Sequence, residues 1–381
     1  MPARARLLAL NILLAVRRGA HAADLLYQST ADLDARDAAL TTEIVLGTLR
    51  RQAQLDFLLT QLSRRPLEQL DEEVLEILRM SAYQLRHLDR VPPHAVVDDA
   101  VELARRVRKA SAAGFVNAVL RRLARGEVAW PDAPTRLSIP AWLLAGWEAM
   151  FGRETAHQIA ETFLNPPVLY VRNPPPEARL QLEPAEIPGA WRVLGGDTRG
   201  LRLQDLGAQS IVPLLELETG MTLLDLCAAP GNKTAQALES GARVIACDIS
   251  WRRLQAVAGA PRVVLDASRP LPFRVQFDRV LVDAPCSGTG TLARNPEIKW
   301  RLTTQDLARY QSRQIQLLRQ ASAAVKPGGL VVYATCSLEK QENEDVVAQC
   351  PTGFRLVKML RRIPGRDAGE GFFAAVLQRE S

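Results

Sequence analysis

The sequence predicts an α/β protein that is built in three parts. Residues 1–128 show Leu and Ala at helical spacing with few β-branched runs, which predicts an all-α bundle. Residues 129–203 contain Pro-rich turns and short apolar runs, which indicate linker helices and a small α+β connecting module. In residues 204–381 apolar strands alternate with helices, the pattern of a Rossmann-like domain with a parallel sheet covered on both faces.

The first segment of the bundle has two interpretations. Residues 4–21 combine a basic start, an apolar run and small residues, as a signal peptide does. The same residues fit an amphipathic helix, which we favour. Its polar side would be marked by Arg6, Asn11, Arg17 and Arg18. Further helices are predicted over 39–62, 70–87 and 95–109.

The cysteines indicate a reducing compartment. They are Cys227, Cys247, Cys286, Cys336 and Cys350. Their number is odd and none forms a C-x-x-C pair, which argues against a disulfide framework and against a zinc site. No apolar run approaches the roughly 20 residues that a membrane-spanning helix needs. We therefore expect a cytoplasmic protein that uses no metal and does not enter a membrane.

A cluster of basic residues lies near the end of the bundle. Residues 103–126 contain seven basic side chains and no acidic one, in a chain whose net charge is +6. Such a cluster releases counterions from a nucleic acid backbone, so it is a candidate phosphate-binding surface. A solvated helix face is the alternative. The cluster consists of Arg105, Arg106, Arg108, Lys109, Arg121, Arg122 and Arg125.

The remaining elements follow from local pattern. Two short helices are expected within 140–164, before strands of the connecting module at 168–172, 190–194 and 201–204. Strands of the Rossmann-like domain are expected at 222–226, 243–247, 262–265, 279–283, 330–334 and 372–377. Its helices are expected at 232–240, 250–258 and 304–325. Such sheets bind ligands at the carboxyl ends of their strands, so the loops there are the candidate site.

The turn after the first of these strands suits close approach of a ligand. Asp225–Thr234 supplies small residues and Gly231 at the start of a helix. One glycine is found where the dinucleotide fingerprint needs three, so a pyrophosphate cradle is not indicated. Four successive strands end in Asp225, Asp248, Asp266 and Asp283. Each alone is typical of a turn or cap, but together they suit ribose hydroxyls, an amino group and a sulfonium, which S-adenosylmethionine combines.

Two further loops carry a cysteine to the same sheet edge. Asp283–Gly290 and Ala334–Ser337 each place a cysteine directly before a serine. Cys247 and Cys350 are interpreted as small buried apolar residues. All four histidines precede residue 204, so chemistry at this edge would run without an imidazole base. A thiolate, a carboxyl group and a methyl donor suit methylation of cytosine carbon 5, because thiolate addition at carbon 6 activates that carbon.

Several segments resemble the signature segments of RNA cytosine-5 methyltransferases. They are Asp225–Thr234, Asp283–Gly290, Asn295–Trp300 and Tyr333–Ser337. Within that class, nearly the full chain resembles the bacterial RsmB (Sun/Fmu) family of 16S rRNA methyltransferases, which begin with a NusB-like helical RNA-binding domain. Phe115–Arg122 in the bundle and Leu203–Ser210 before the Rossmann-like domain carry this wider resemblance.

The resemblance implies roles for individual residues. Cys336 would be the nucleophile, Cys286 would assist release of the product, and Asp283 would join them as a catalytic group. The residues alone leave the order of the cysteines open, because DNA cytosine methyltransferases attack from a segment comparable to Pro285-Cys286. Asn232 stands where the family has a second glycine, and since Asn tolerates a positive φ we expect the turn to survive. The implied cofactor contacts are Cys227, Ala228, Ala229, Pro230, Gly231, Asn232, Lys233, Asp248, Asp266 and Asp283.

The resemblance also implies a substrate. S-adenosylmethionine would be the methyl donor, and the target would be the family's cytosine 967 of 16S rRNA, methylated before subunit assembly by a monomeric enzyme. Alternatives are the same chemistry on transfer RNA, and a non-catalytic RNA-binding factor of ribosome assembly. Further candidates for contact with RNA are Tyr170, Arg172, Trp191, Lys299, Trp300 and Arg301.

Overall fold

The chain forms two compact units in the computed structural model, which describes residues 3–123, 126–198 and 200–381. The first unit comprises Met1–Pro166 with Leu292–Arg301, and the second comprises Pro167–Thr291 with Leu302–Ser381. This grouping does not test the division into residues 1–128, 129–203 and 204–381, which stays a prediction. Arg125 of the basic cluster lies outside the described residues.

The first unit contains an all-α bundle. Its helices are α1 (Arg4–Arg17), α2 (Ala22–Ser29), α3 (Ala35–Arg50), α4 (Gln52–Leu62), α5 (Glu72–His87), α6 (Pro93–Arg106) and α7 (Ala113–Arg122). Apolar side chains from all seven form one core. Every residue from Val74 to Leu85 is buried, so α5 is the central helix. The helix predicted over 39–62 is two helices, because the backbone of Arg51 leaves helical geometry between α3 and α4.

The amphipathic interpretation of the first segment describes α1. Its apolar residues, among them Leu10 and Leu13, lie in the bundle core. Arg6, expected on the polar side, is buried instead. Its Nη1 lies 2.5 Å from the carboxylate of Asp99 and its Nε donates a hydrogen bond to Gln84 at 2.7 Å, which compensates burial of the charge. Within the described ranges, no helix is both long and apolar enough to cross a membrane.

Three further helices complete the first unit before the chain enters the second. They are α8 (Ala133–Arg136), α9 (Ala141–Phe151) and α10 (Arg153–Thr162). The last two form the pair expected within 140–164. Trp147 of α9 is fully buried, and its ring lies 5.9 Å from that of Phe163 at the end of α10.

Side chains of the segment Leu292–Arg301 donate hydrogen bonds to main-chain carbonyl groups at the ends of two bundle helices. At the end of α3, Lys299 Nζ donates to the carbonyl of Arg50 at 2.8 Å, and Trp300 Nε1 donates to that of Leu49 at 3.0 Å. After α1, the guanidinium of Arg301 donates to three carbonyl groups, those of Val16, Gly19 and Ala20. Cations at helix C-termini also oppose the helix dipole. These three side chains therefore cap helices. Lys299 is also buried, which corrects the expectation that it contacts RNA, whereas contact of Trp300 and Arg301 with RNA stays a prediction.

The second unit begins with a three-stranded antiparallel sheet. Its strands are β1 (Tyr170–Arg172), β2 (Leu180–Pro184) and β3 (Ala190–Gly196), in the order β1-β3-β2. The strand predicted at 201–204 is wrong, since only an isolated bridge joins Leu203 to Val171. Tyr170 is buried, and Arg172 forms a bidentate ion pair with Glu239, with Nε 2.8 Å from Oε1 and Nη2 2.6 Å from Oε2. These two side chains therefore hold the small sheet in place. Burial of Tyr170 corrects its proposed contact with RNA, whereas that of Arg172 stays a prediction.

The rest of the second unit is a Rossmann-like domain. Its elements, in chain order, are α11 (Leu206–Gln209), β4 (Thr222–Leu226), α12 (Asn232–Leu238), β5 (Arg243–Asp248), α13 (Trp251–Leu254), β6 (Arg262–Val264) and β7 (Phe277–Asp283). After α14 (Ile298–Arg301), which belongs to the first unit, come α15 (Thr304–Ala324), β8 (Val325–Thr335), α16 (Glu344–Val347), β9 (Phe354–Arg362) and β10 (Phe372–Arg379).

The large sheet has seven strands in the order β6-β5-β4-β7-β8-β10-β9. The strands from β4 to β8 pair in parallel, as the alternation of strands and helices predicts. β10 is antiparallel to both β8 and β9, so the expectation of a fully parallel sheet is wrong at this end. β9 was not expected, because this edge strand is largely exposed and rich in basic residues.

Lys299 makes the stability of the first unit depend on pH. Burial, followed by the charges of Arg50 and Arg51, lowers the pKa of Lys299 from 10.5 to about 7. Above pH 7 the folded chain has released a proton that the unfolded chain still holds, so the free energy of unfolding should rise with pH. The upper limit is about 1.4 kcal/mol per pH unit. Thermal melts at pH 7 and 9 should reveal this gain in the wild type and its loss in Lys299→Met.

The matched control for that prediction is Trp300→Phe. It removes the neighbouring hydrogen bond to Leu49 but leaves the amine of Lys299 in place. This variant should be less stable at both pH values while keeping the pH dependence. An identical pH dependence in wild type and Lys299→Met would contradict the assignment to this amine.

Candidate active site

The site lies at the carboxyl ends of β4, β5, β7 and β8, the edge at which such sheets bind ligands. In the turn after β4 the backbone is left-handed at Cys227, with a φ of 63°, and again at Gly231, with a φ of 103°. The amide of Ala228 donates to the carbonyl of Cys247 at 2.8 Å, which fixes the turn to β5. A Cβ on Gly231 would meet Val257 at 3.0 Å, so this glycine is required for both conformation and space.

Asn232 does not have the positive φ that its comparison with glycine suggested. It is the first residue of α12 and has a helical backbone, while Gly231 takes the left-handed conformation. The side-chain amide of Asn232 donates to the carbonyl of Leu203 at 3.3 Å. The expectation that Asn232 is tolerated through a positive φ is therefore wrong. Its side chain instead makes a hydrogen bond that a glycine could not make.

Two of the four strand-terminal carboxylates, those of Asp225 and Asp248, differ in whether they reach the site. Asp225 is fully buried and accepts a hydrogen bond from Thr234 at 2.6 Å, and burial raises the pKa of Asp225 to about 7. It lies within the domain and does not line the cleft described below. Asp248 does line the cleft, and it also accepts from the amides of Ala229 at 3.2 Å and Ser250 at 2.9 Å.

The other two carboxylates differ in their partners. Asp266 accepts two hydrogen bonds from Ser268, from the hydroxyl at 2.6 Å and the amide at 3.0 Å, and these lower the pKa of Asp266. Asp283 lies 2.6 Å from Lys233 Nζ. Lys233 Nζ also lies 5.4 Å from the centre of the Phe372 ring, so the lysine is held over an apolar surface beside the carboxylate.

The two candidate catalytic cysteines lie side by side. The Sγ atoms of Cys286 and Cys336 are 3.4 Å apart, and neither thiol is in a disulfide. The hydrogen bond to Cys336, together with burial, raises the pKa of the Cys286 thiol well above its ordinary value. Cys247 is fully buried within β5 and Cys350 packs beside the domain core, as expected for residues without a chemical role.

A cleft of about 220 Å³ brings part of the predicted site together. The predicted residues that line it are Cys227, Ala229, Asp248, Asp283, Cys286 and Cys336. The other predicted residues lie in the same turns but do not line the cleft; these are Ala228, Pro230, Gly231, Asn232, Lys233 and Asp266. The cleft thus contains the thiols of Cys286 and Cys336, which touch each other, and the carboxylates of Asp248 and Asp283.

Sequence reasoning missed several lining residues. Ile249 lines the cleft and is 56% exposed. Its position directly after Asp248 is the signal that the sequence could have given. Arg253 donates to the carbonyl of Ala229 at 2.8 Å, and Arg313 lines the cleft from the middle of α15. The pattern of α15 gives no sign that Arg313 reaches this edge. The two arginines offset the acidic side chains of the cleft.

Comparison with known proteins identifies the family. A family model described as 16S rRNA methyltransferase RsmB/F matches residues 212–351, and one described as NusB family matches residues 3–125. The ribosomal RNA small subunit methyltransferase B of Thermus thermophilus is 39% identical over 90% of this chain and 86% of its own length. This chain belongs to the RsmB/F family. The resemblance noted from the sequence motifs is confirmed.

Other relatives agree with this assignment. The ribosomal RNA small subunit methyltransferase B of Salmonella newport is 33% identical over 92% of each chain. Among solved structures, PH0851 has a TM-score of 0.81 at 20% identity and covers all of both chains. NSun6 from Pyrococcus horikoshii has a TM-score of 0.55 at 20% identity and covers 64% of this chain and 98% of its own. These structures support the fold, a Rossmann-like methyltransferase domain in this RsmB/F chain.

Gly290 should be essential for the approach of the two cysteine loops. Its amide donates to the carbonyl of Cys336 at 2.9 Å, and an added Cβ would lie 2.8 Å from that oxygen and 2.3 Å from the carbonyl oxygen of Gly371. Gly290→Ala must displace one of these loop segments, so we expect a loss of about 1–3 kcal/mol in stability. Thermal melts would measure the loss of stability. The rate of alkylation of Cys336 by iodoacetamide would measure the displacement of its loop.

The matched control is Gly146→Ala in α9, where a Cβ meets no atom within 4 Å. A helical glycine of this kind should gain up to about 1 kcal/mol on replacement by alanine. Equal effects of the two substitutions on stability and on alkylation would contradict the role given to Gly290.

Proposed function

We propose that this protein transfers the methyl group of S-adenosylmethionine to carbon 5 of a cytosine in 16S rRNA, through a covalent adduct with Cys336. The observation that carries the proposal is the 3.4 Å contact between Cys336 and Cys286 in a cleft that also contains Asp283. The description of the family includes 16S rRNA. We propose cytosine 967 of that RNA as the target. We also propose that the enzyme is a cytoplasmic monomer and that it methylates the RNA before the RNA is assembled into the subunit.

The residues present fit the methyl donor. Carboxylates of Asp248 and Asp283 suit hydroxyl, ammonium and sulfonium groups, and Gly231 keeps the turn close to a ligand. When bound, S-adenosylmethionine supplies an electrophilic methyl group. We propose that the turn from Cys227 to Lys233 holds it together with Asp248, Asp266 and Asp283. No metal is required for this chemistry.

The proposed reaction begins at Cys336. Its thiolate forms a bond to carbon 6 of the cytosine, which makes carbon 5 nucleophilic and able to accept the methyl group. In its acid form the carboxyl group of Asp283 donates a hydrogen bond to the ring nitrogen and favours this addition, while Lys233 Nζ holds that group from 2.6 Å. After methylation a base removes the proton of carbon 5, and the bond between sulfur and carbon 6 breaks. The departing sulfur takes a proton from Cys286.

The contact between the thiols allows a proton to pass between the two sulfurs. Hydrogen bonding to Cys336 and burial hold the pKa of Cys286 above its ordinary value, so Cys286 remains protonated at neutral pH. A protonated Cys286 can donate to the sulfur of Cys336, first to stabilise the thiolate and later to assist its release. The order of the two roles follows the resemblance to RNA cytosine-5 methyltransferases.

A denaturing gel would test the adduct. Wild type, Cys286→Ala and Cys336→Ala are each incubated with S-adenosylmethionine and unassembled 16S rRNA. Cys286→Ala should attack and transfer the methyl group but accumulate as a protein–RNA adduct, whereas Cys336→Ala should form no adduct and no product. An adduct with Cys336→Ala alone would reverse the roles of the two cysteines.

The substrate and the class of protein are tested in the same experiment. Methyl incorporation into transfer RNA, and none into 16S rRNA, would favour the first alternative. Binding of 16S rRNA without incorporation or adduct in any lane would favour a non-catalytic assembly factor. The arrangement of two thiols in contact at the ligand edge of the sheet makes the catalytic proposal the stronger one.

We also propose that the basic cluster of the NusB-like domain binds the RNA backbone. Arg106, Arg108 and Arg122 are exposed. Lys109 contributes less than its sequence position suggests, because its Nζ lies 3.0 Å from Asp71. The net positive surface is therefore smaller than the sequence indicated, but its arginines remain positioned to bind phosphates.

Neutralising this cluster should weaken RNA binding in a salt-dependent way. The triple variant Arg106→Gln, Arg108→Gln, Arg122→Gln should bind 16S rRNA more weakly, and the slope of log affinity against log salt should fall by about one for each phosphate that is no longer neutralised. Filter binding at several salt concentrations would measure both. Arg64→Gln, an exposed arginine outside the cluster, is the control. An unchanged salt slope in the triple variant would contradict the proposal.

A further inference from the structure

A buried carboxylate lies behind the two cysteine loops. Glu342 ends a short 3-10 turn that follows β8, and its side chain is fully buried. It does not line the cleft, so it is not placed to touch a substrate. Burial of a carboxylate is costly unless several donors satisfy it. The identity of those donors indicates what this residue does.

The donors to Glu342 are the residues next to the cysteines. Its Oε1 accepts from the amide of Ser287, which follows Cys286, at 2.8 Å. Its Oε2 accepts from the hydroxyl of Ser287 and from that of Ser337, which follows Cys336, the latter at 2.5 Å. One carboxylate therefore joins the loop after β7 to the loop after β8, one residue away from each thiol.

Two further side chains fix this carboxylate and the loops around it. Gln314 of α15 donates to Glu342 Oε1 at 3.0 Å and, from the same nitrogen, to the carbonyl of Pro285 at 2.9 Å. The hydroxyl of Tyr333 donates to the main-chain carbonyl of Glu342 at 2.6 Å. The carboxylate is thus held from α15 and from β8 at once, and it cannot shift without moving both cysteine loops.

We propose that Glu342 is the positioning residue that holds the thiols of Cys286 and Cys336 in contact. A carboxylate suits this task because both of its oxygens accept, and here each oxygen accepts two hydrogen bonds. The meaning of the contact for catalysis rests on the function proposed above, in which a proton passes between the two sulfurs. The contact itself is a property of the protein alone and can be tested without RNA.

Oxidation by diamide measures the contact directly. The two S–H bonds break, one S–S bond forms, and the N=N bond of diamide takes up both hydrogen atoms. Mass spectrometry would follow the disulfide between Cys286 and Cys336 in the full chain. Since a shift of the order of 1 Å at a reacting centre can cost about 100-fold in rate, we expect Glu342→Gln to slow this disulfide by about tenfold and Glu342→Ala by more.

The variants and control separate positioning from general stability. Glu342→Gln keeps the size of the side chain but removes its charge and one acceptor oxygen, so the hydroxyls of Ser287 and Ser337 would have to change from donating to accepting. Glu344→Gln is the matched control. Glu344 lies two residues after Glu342, and its substitution removes an ion pair with Arg361. The control should oxidise at the wild-type rate. In methylation assays Glu342→Gln should lower kcat while leaving KM for S-adenosylmethionine unchanged.

Each outcome decides the proposal. Wild-type oxidation and wild-type kcat in Glu342→Gln would overturn it, and so would equal slowing in Glu344→Gln, since loss of stability would then explain both. Slowed oxidation in Glu342→Gln alone supports it, whatever the RNA assays give. If the wild type oxidises rapidly but methylates no RNA, the proposed function fails while the positioning role stands. Should Glu342→Ala not fold, the isosteric Glu342→Gln still decides.

Discussion

The parallel register between β7 and β8 is the constraint on which the site depends. Asp283 pairs with Ala334, and the amide of Ala284 donates to the carbonyl of Ala334 at 2.8 Å. The next residues of both strands therefore leave the sheet at the same level and in the same direction. Two cysteines 50 residues apart in the chain reach a sulfur–sulfur distance of 3.4 Å for this reason. The serines that follow them then meet the same buried carboxylate.

Much of the large sheet could be predicted because its central strands are buried on both faces and appear as short apolar runs. β9 could not, since an edge strand exposes most of its side chains and lacks that pattern. β2 in the small sheet was missed for the same reason. The antiparallel direction of β10 was also out of reach, because an apolar run carries no information about the direction of its neighbour. Strand content was thus predictable where burial was uniform.

The candidate site was predictable in so far as it follows from topology. Loops after parallel strands share an edge, so the cysteines and Asp283 could be placed together from the sequence. Partners of individual side chains could not, because they come from distant parts of the chain. Arg6 was expected in solvent but pairs with Asp99, and Lys299 was expected at the substrate but caps α3. Local spacing gives the face of a helix, whereas tertiary hydrogen bonds depend on what packs against it.

The helix-capping segment Leu292–Arg301 has a consequence for how the gene can be divided. The polypeptide passes between the compact units at three places, after Pro166, after Thr291 and after Arg301. A single cut in the coding sequence after Pro166 would therefore yield a bundle whose α1 and α3 lack the donors of Arg301 and Lys299. Ten residues of the first unit, Leu292–Arg301, thus lie within the sequence of the second. Recombination that exchanges the second unit as one stretch of sequence must therefore carry these ten residues with it.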